Sequence, residues 1–284
     1  MRFHVFGRKN KSGRTLQRLS GTRLESARDR AGFPFGAIVR SAPRSTVTVC
    51  FQVDNPDEVT SEEVYRWEEA ISRDETVLAT AYGVDSTGCY MSVTFVRSTR
   101  AERKDVGEVL TRIAAGLPDL YEFGSIVATP LKASAVYDRL LGELHTSGKK
   151  WPELDIDRVG EEIGHVQFDE LSAISFDVMD DAELDGVLRE LVLDEPIGAV
   201  MRWTRLFRPG LEAEENDPGR HAGILTVAAE ASADQVESAV AALMNGLSAM
   251  DRLRVRRIFC RQTSGFLAGL GIGEFVWDSD KITV

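Results

Sequence analysis

The feature that most constrains this chain is an internal duplication. Residues 171–260 divide into six segments in the order strand, helix, strand, strand, helix, strand, and most of residues 45–128 divide in the same order. The segments are recognised by their hydrophobic period, which is two residues in a half-buried strand and three to four in an amphipathic helix. Two such units in one chain predict two copies of one architecture.

The second copy shows this order well. Strands are predicted at residues 171–178, 197–207, 221–229 and 253–260, and an acidic loop at residues 210–220 separates the second strand from the third. The first helix carries an apolar stripe of Leu184, Val187, Leu188, Leu191 and Val192. The second helix carries a stripe of Val236, Val240, Leu243, Leu247 and Met250.

The first copy follows the same plan. A strand at residues 45–53 alternates apolar and polar side chains, and residues 76–84 and 89–96 read as a hairpin across residues 85–88. A final strand is predicted at residues 121–128. Each helix of both copies begins with the same signal, a polar N-cap residue followed three positions later by Glu or Gln. The pairs are Thr60 with Glu63, Thr99 with Glu102, Asp180 with Glu183 and Ser232 with Gln235.

A βαββαβ unit folds most simply into a four-stranded antiparallel sheet with both helices on one face. The sequence therefore predicts an α+β protein of two tandem ferredoxin-like domains. Residues 1–30 are expected to form a basic, disordered arm. Residues 31–146 form the first repeat with an extra hairpin and an extra helix, residues 147–158 a linker, and residues 159–284 the second repeat, which has similar additions at residues 159–168 and 265–271.

Charge is distributed unevenly along the chain. Residues 1–30 carry nine Lys or Arg against Glu25 and Asp29, a net charge of +7 on a chain whose total is −11. The simplest interpretation of this arm is a solvated tail. The alternative is a contact with anionic lipid, nucleic acid or an acidic protein. The basic residues available for that contact are Arg2, Arg8, Lys9, Lys11, Arg14 and Arg18.

No stretch approaches the roughly 20 apolar residues that span a bilayer, and no signal-peptide core is present. The sequence therefore predicts a cytoplasmic location, with a peripheral place at the inner face of the membrane if the arm binds lipid.

Motifs that would indicate a reaction are missing. Cys50, Cys89 and Cys260 are isolated and are interpreted as buried reduced thiols, and the four His residues have no metal-ligand spacing. Residues 269–273 (GLGIG) resemble half a dinucleotide fingerprint but do not follow a strand, so we interpret them as a flexible turn. We predict no catalytic residue, no cofactor and no metal.

Two predicted strands are rich in arginine. Arg202, Arg205 and Arg208 lie in the second strand of repeat two, and Arg254, Arg256 and Arg257 lie in the fourth. Both would be edge strands of a ferredoxin-like sheet, where charge prevents unwanted pairing. Phosphate binding by Arg254, Arg256 and Arg257 is the weaker alternative. RNA binding would require exposed aromatic and basic residues on the central strands, and this pattern is absent, so the sequence disfavours a nucleic-acid partner.

Several phrases of the chain resemble the cytoplasmic part of an actinobacterial family of membrane-associated proteins linked to conjugative DNA transfer. They are residues 27–39 (ARDRAGFPFGAIV), the segment 46–69 that ends in VYRWEE, residues 90–96 (YMSVTFV), and residues 129–131 leading into VYDRLL. That family is similar in turn to the amino-terminal region of conjugative type IV secretion ATPases, and residues 256–273 (RRIFCRQTSGFLAGLGIG) resemble the end of that region. Type VII secretion component E is a looser comparison.

The resemblance implies a non-enzymatic scaffold or assembly component at the cytoplasmic face of a transfer or secretion machine, with the proteins of that machine as partners. Formation of an oligomer is compatible with this role. The alternative is an enzyme, or a protein that binds a small ligand or metal in the cleft between the repeats. Nucleic-acid binding is a more distant alternative.

Overall fold

The computed structural model describes residues 22–41, 44–143, 159–168, 171–179, 182–193, 199–210, 220–230 and 232–273, and the fold is given for these residues. The first repeat contains β1 (Thr22–Arg28), β2 (Pro34–Arg40), β3 (Thr46–Val53), α1 (Ser61–Ile71), β4 (Val77–Asp85), β5 (Gly88–Val96), α2 (Arg100–Lys104), α3 (Val106–Gly116), α4 (Pro118–Tyr121), β6 (Glu122–Phe123), β7 (Ile126–Pro130) and α5 (Ala133–Glu143). The second contains β8 (Val159–Glu161), β9 (Val166–Phe168), β10 (Leu171–Val178), α6 (Ala182–Leu193), β11 (Val200–Arg208), β12 (Arg220–Glu230), α7 (Ala233–Gly246), α8 (Ala249–Arg254), β13 (Val255–Arg257) and α9 (Gln262–Gly269).

These strands form one large antiparallel sheet, which confirms the α+β class. Its order is β1-β2-β3-β5-β4-β11-β12-β10-β9-β8, and the order is palindromic with respect to the two repeats. β7 pairs with the end of β3, and β13 pairs with the end of β10. Each repeat therefore places its four core strands in the order fourth, first, third, second. The hairpins β1-β2 and β8-β9 add to equivalent edges of the two repeats.

The two repeats do not have separate sheets, because β4 pairs with β11 from Thr80 opposite Phe207 to Asp85 opposite Arg202. The sequence-based prediction that Arg202 and Arg205 lie on an edge strand is therefore wrong. β11 is an interior strand, and both arginines are buried at 4% and 2% exposure. Their charge does not block pairing, because acidic residues of the first repeat compensate it.

The helices lie on both faces of the sheet, whereas the sequence predicted one face. Helices α1, α3, α6 and α7 cover the first face and share one apolar core, which includes Trp67, Val109, Leu188 and Val236. Helices α5 and α9 cover the second face, where Val136 and Phe266 belong to a separate apolar cluster. Each of these two helices follows the fourth strand of its repeat. They are the additions outside the βαββαβ core.

The segment 262–273 crosses the second face from repeat two to repeat one. A Cβ atom on Gly265 would lie 2.9 Å from Ser175 Cβ in β10, and one on Gly273 would lie 2.4 Å from Thr48 Oγ1 in β3. Glycine therefore permits a backbone approach that no other residue allows. Residues 270–273 follow α9 as a turn, which agrees with the sequence-based interpretation, but all four of these residues are buried.

Side chains of the sheet donate hydrogen bonds to the end of this segment. The hydroxyl of Thr204 donates to the carbonyl of Gly269 at 2.6 Å, and the hydroxyl of Ser92 donates to the carbonyl of Gly271 at 2.6 Å. Arg40 donates to the carbonyl of Gly273 at 3.1 Å. Carbonyls at the end of a helix have no intrahelical partner, so without these bonds the buried carbonyls at and beyond the end of α9 would be left unpaired. These bonds attach the segment to both repeats.

The predicted boundary of the arm at residue 30 is also wrong, because Thr22–Arg28 is strand β1. Asp29 then holds the following turn. Its Oδ1 accepts the N–H groups of Ala31 and Phe33 at 2.9 and 2.8 Å, and its Oδ2 accepts the hydroxyl of Tyr121 at 2.7 Å. Burial raises the pKa of Asp29, but these hydrogen bonds, led by the one from Tyr121, outweigh it and lower the pKa below its ordinary value.

Other predictions of local structure have mixed outcomes. The capping box of Thr60 and Glu63 is confirmed. Thr99 accepts the N–H of Glu102, but the Glu102 carboxylate accepts the N–H of Ser98. The predicted strand 253–260 is only β13, because Ser248 caps helix α8 immediately before it. The linker 147–158, Asp180 and the basic residues of the arm from Arg2 to Arg18 lie outside the described residues. In the described part of the chain, no helix has the length and hydropathy needed to span a membrane.

Candidate functional site

On the first face, a buried ion pair joins the two repeats. Arg205 of β11 lies 3.0 Å from the carboxylate of Glu68 in α1, and the two side chains are 2% and 1% exposed. His221 of β12 lies 3.4 Å from the same carboxylate. The guanidinium of Arg205 stacks 3.3 Å from the ring centre of Tyr65. We call Glu68, Arg205, His221 and Tyr65 the ionic junction. Because its ion pair is buried beneath α1, we interpret its role as structural.

A second set of contacts ties α6 to the first repeat on the same face. Asp185 accepts a hydrogen bond from the indole of Trp203 at 2.5 Å and another from the hydroxyl of Ser61. Arg189 donates to the carbonyl of Val59 at 2.9 Å and to the hydroxyl of Tyr82 at 3.2 Å. All of these polar groups are bonded within the protein, so the first face of the sheet offers little to a ligand where the two repeats meet.

A cavity of about 550 Å³ lies on the second face of the sheet, where the two repeats meet, and we call it the seam cavity. It lies between α5 of repeat one and α9 of repeat two, over the line where β4 meets β11. Part of its wall is apolar, formed by Leu131, Ala135, Val200, Ala228 and Phe266. A cavity of this size and composition is typical of small-molecule sites.

A connected polar wall closes one side of the seam cavity. Asp85 accepts the N–H and the hydroxyl of Thr87 at 2.8 and 2.5 Å on one oxygen, and Arg202 on the other at 3.4 Å. The hydroxyl groups of Thr87 and Tyr90 are 2.9 Å apart. The guanidinium of Arg139 lies over the ring of Tyr90, 3.9 Å from its centre. Two guanidinium groups and a phenol thus border the cavity.

The surroundings of Arg202 in this wall disfavour its positive charge. Burial, and after it the positive charge of Arg139, lower the pKa of Arg202 to about 10, although Asp85 acts in the opposite direction. Arg139 itself is half-buried on α5. The sequence analysis gave a cleft between the repeats as an alternative ligand site but did not identify its residues, because they come from both repeats. The only sequence signal for the site was Arg139, a basic residue within the predicted helix that follows β7.

A second candidate surface lies at the far end of repeat two. Of the seven large apolar side chains that are more than half exposed in the described part of the chain, five lie around β13, and the other two, Phe33 and Val127, belong to repeat one. The five are Ile163, Met179, Met250, Leu253 and Phe259, and we call them the β13 surface. The N–H of Met179 donates to the carbonyl of Arg254, and the N–H of Cys260 donates to the carbonyl of Ile163. These bonds place the backbones of Met179 and Ile163 beside the two ends of β13, while Met250 and Leu253 lie on α8 directly before it.

Arginines accompany the apolar side chains of the β13 surface. Arg257 is held by both oxygens of Glu237, at 3.0 and 2.6 Å, and by the carbonyl of Gly164. Of the three basic residues predicted at this edge, Arg257 is therefore structural, whereas Arg254 is half-buried and Arg256 is exposed beside the apolar side chains. Burial raises the pKa of Asp177, the cross-strand neighbour of Arg256, although the charge of Arg256 opposes this.

The cysteines differ from one another. Cys50 and Cys89 are buried thiols, as predicted, and burial raises the pKa of Cys50 to about 11. Cys260 is exposed, so its interpretation as a buried thiol is wrong; β13 ends before it. Among the residues the structure describes, no three His, Cys, Asp or Glu side chains form a group that could hold a metal ion.

No family model matches the chain, and no curated protein matches it.

Proposed function

We propose that this chain is a non-enzymatic scaffold or assembly component that joins protein partners of a conjugative-transfer or secretion machine at the cytoplasmic face of the membrane. The observation that carries this proposal is the β13 surface. Exposed apolar groups that cluster beside charged ones are a common mark of protein interaction sites on soluble domains.

The architecture supports the same role. We propose that each repeat is a ferredoxin-like βαββαβ unit, since its core strands follow the order fourth, first, third, second. The pairing of β4 with β11, the ionic junction and the crossing segment 262–273 hold the two units in one orientation. A rigid platform of this kind presents its outer edges at a fixed distance and angle. The resemblance to conjugation proteins supports the choice of machine.

The chemistry of the β13 surface indicates its partner. Arg252 and Arg256 are exposed and Arg254 is half-buried among the apolar side chains, on a protein whose total charge is −11. A locally basic, apolar surface on an acidic molecule complements an acidic segment with apolar anchors. We therefore propose that the partner contributes an amphipathic segment with Asp or Glu residues beside large apolar ones.

The test is affinity purification of the tagged protein from its native host, followed by mass spectrometry. The variant combines Leu253→Glu and Phe259→Glu, whose native side chains are 68% and 59% exposed. The matched control combines Phe33→Glu and Val127→Glu, at 58% and 54% exposure in repeat one. We expect proteins of a transfer or secretion machine to co-purify with the native and control proteins, and to be lost with the variant.

A crosslinker attached to the exposed Cys260 should join the chain to the same partner, since Cys50 and Cys89 are buried and react poorly. Recovery of an unchanged set of partners with the variant would place the contact elsewhere on the molecule. Recovery of no component of such a machine by any form of the protein would contradict the proposed function itself.

A further inference from the structure

We propose that the seam cavity is a binding site for a small organic monoanion, a carboxylate or sulfonate carried on a flat apolar body. This inference rests on the cavity between α5 and α9 and is independent of the scaffold function. It assigns a ligand class to the cleft between the repeats.

The size and the walls of the cavity define the body of the ligand. Its volume of about 550 Å³ falls within the range of small-molecule sites, roughly 300–1,000 Å³. Phe266 and Leu131 contribute apolar surface from opposite repeats, and Ala135 and Ala228 leave room between them. A flat ring system is suited to such a space, because it buries a large apolar area at little cost in conformational entropy.

The charges facing the cavity define the head group. Asp85 has one oxygen occupied by Thr87 and the other by Arg202, so it is poorly suited to hold a cation. Asp138, the other acidic residue of the lining, is exposed and therefore hydrated. Arg139 and Arg202 repel each other in a partly buried site, and a bound anion would reduce this repulsion.

The same charges argue for a single negative charge on the ligand. A nucleoside triphosphate brings about four negative charges, and Asp85 and Asp138 would repel most of them. Tyr90 and Gln52 add hydrogen-bonding groups on the cavity lining. One carboxylate can accept two parallel hydrogen bonds from a guanidinium group, which is a strong and directional contact.

Binding would also couple the two repeats. The lining comes from β3, β4, β5 and α5 of repeat one and from β11, β12 and α9 of repeat two. A ligand that contacts both repeats stabilises their joined form relative to any state in which they separate. Bound ligand should therefore raise the thermal midpoint of the whole chain.

The experiment titrates the full chain with 8-anilinonaphthalene-1-sulfonate and follows its fluorescence. Ala135→Phe fills the cavity from α5, and Arg139→Gln removes the charge that faces the ligand. The matched control is Arg66→Gln, which removes an arginine from the exposed face of α1, where its side chain is 65% exposed. We expect 1:1 saturable binding, at least about tenfold weaker in the two cavity variants and unchanged in the control.

Competition separates the charge from the ring. 2-Naphthoate is expected to displace the probe, and the neutral 2-naphthalenemethanol to displace it at least about tenfold less well. Equal displacement by the alcohol, or full-strength probe binding in Arg139→Gln, would overturn the proposal. So would the absence of saturable binding to the native chain. If Ala135→Phe does not fold by circular dichroism, Arg139→Gln and the two competitors decide the result.

Discussion

Replacing Glu68 by Gln is expected to destabilise the protein far more than the loss of an ordinary salt bridge would. The substitution removes the negative charge of the ionic junction and conserves its shape. The guanidinium of Arg205, only 2% exposed, would lose the carboxylate that lies 3.0 Å away. His221, at 3.4 Å, would lose the same carboxylate.

The magnitude follows from burial. Removing one partner of a buried ion pair costs about 3–5 kcal/mol, because the remaining charge stays in a medium that solvates it poorly. A comparison pair lies on the same helix, where Arg66 and Glu62 are 2.5 Å apart but 65% and 74% exposed. Such surface pairs contribute about 0–1 kcal/mol. The comparison pair is the shorter one, so a ranking by distance alone would give the opposite order.

The assay is urea unfolding followed by circular dichroism, with the free energy of unfolding compared among native protein, Glu68→Gln and the control Glu62→Gln. A double variant, Glu68→Met with Arg205→Met, is expected to recover most of the loss, since apolar residues of similar volume commonly replace a buried pair without net cost. The reasoning is refuted if Glu68→Gln costs no more than Glu62→Gln. It is also refuted if the double variant is less stable than Glu68→Gln.

Three further predictions concern other parts of the molecule. Gly265→Ala places a Cβ 2.6 Å from Ile258 Cδ1 and should cost about 1–3 kcal/mol in urea unfolding, whereas Gly116→Ala, with no atom within 4 Å, should be neutral or stabilising. Asp29 has a folded-state pKa below its ordinary value of 3.8, so its contribution to stability is present above that value and is lost as the pH falls through the folded pKa. The stability difference between native protein and Asp29→Asn should therefore be smaller at pH 3 than at pH 7, and a constant difference would contradict this assignment. Deletion of residues 1–21 should abolish flotation with phosphatidylserine vesicles at low salt, at about 1 kcal/mol per basic residue near the membrane, and unchanged flotation would move the lipid contact to another surface.

The sequence predicted the local elements well because their signals are local. The strand period at residues 45–53 and the capping box of Thr60 each depend on neighbours within one turn or one strand. Partner choice between strands is not local. Nothing within β11 specifies that β4 will lie beside it, and arginines are the usual mark of an edge strand. The compensating Glu68 and Asp85 lie more than 100 positions earlier.

The bounds and the packing of helix α9 were not predicted for a different reason. An amphipathic helix reveals itself through a polar face, but residues 265–270 are buried on every side and alternate large apolar residues with glycine. Gly265 and Gly269 permit close packing of the helix on the sheet, and the turn predicted at residues 269–273 follows the helix at residues 270–273. A cleft between the repeats was an alternative in the sequence analysis, but the residues of the seam cavity could not be predicted, since its arginines come from separate repeats.

The palindromic order of the sheet explains where the cavity lies. β4 and β11 are both the second strand of their repeat, and antiparallel pairing of like edges is the arrangement that a two-fold axis produces in a dimer. α5 and α9 both lie on the second face, but they do not occupy equivalent places, because α5 packs on β1 and β2 whereas α9 packs on β10 and β12. The antiparallel pairing sets Asp85 at the end of β4 beside Arg202 at the start of β11, so the two walls of the cavity come from non-equivalent positions of the repeats. The two repeats therefore cover their halves of the sheet differently, and one wall carries Arg139 while the other carries Phe266.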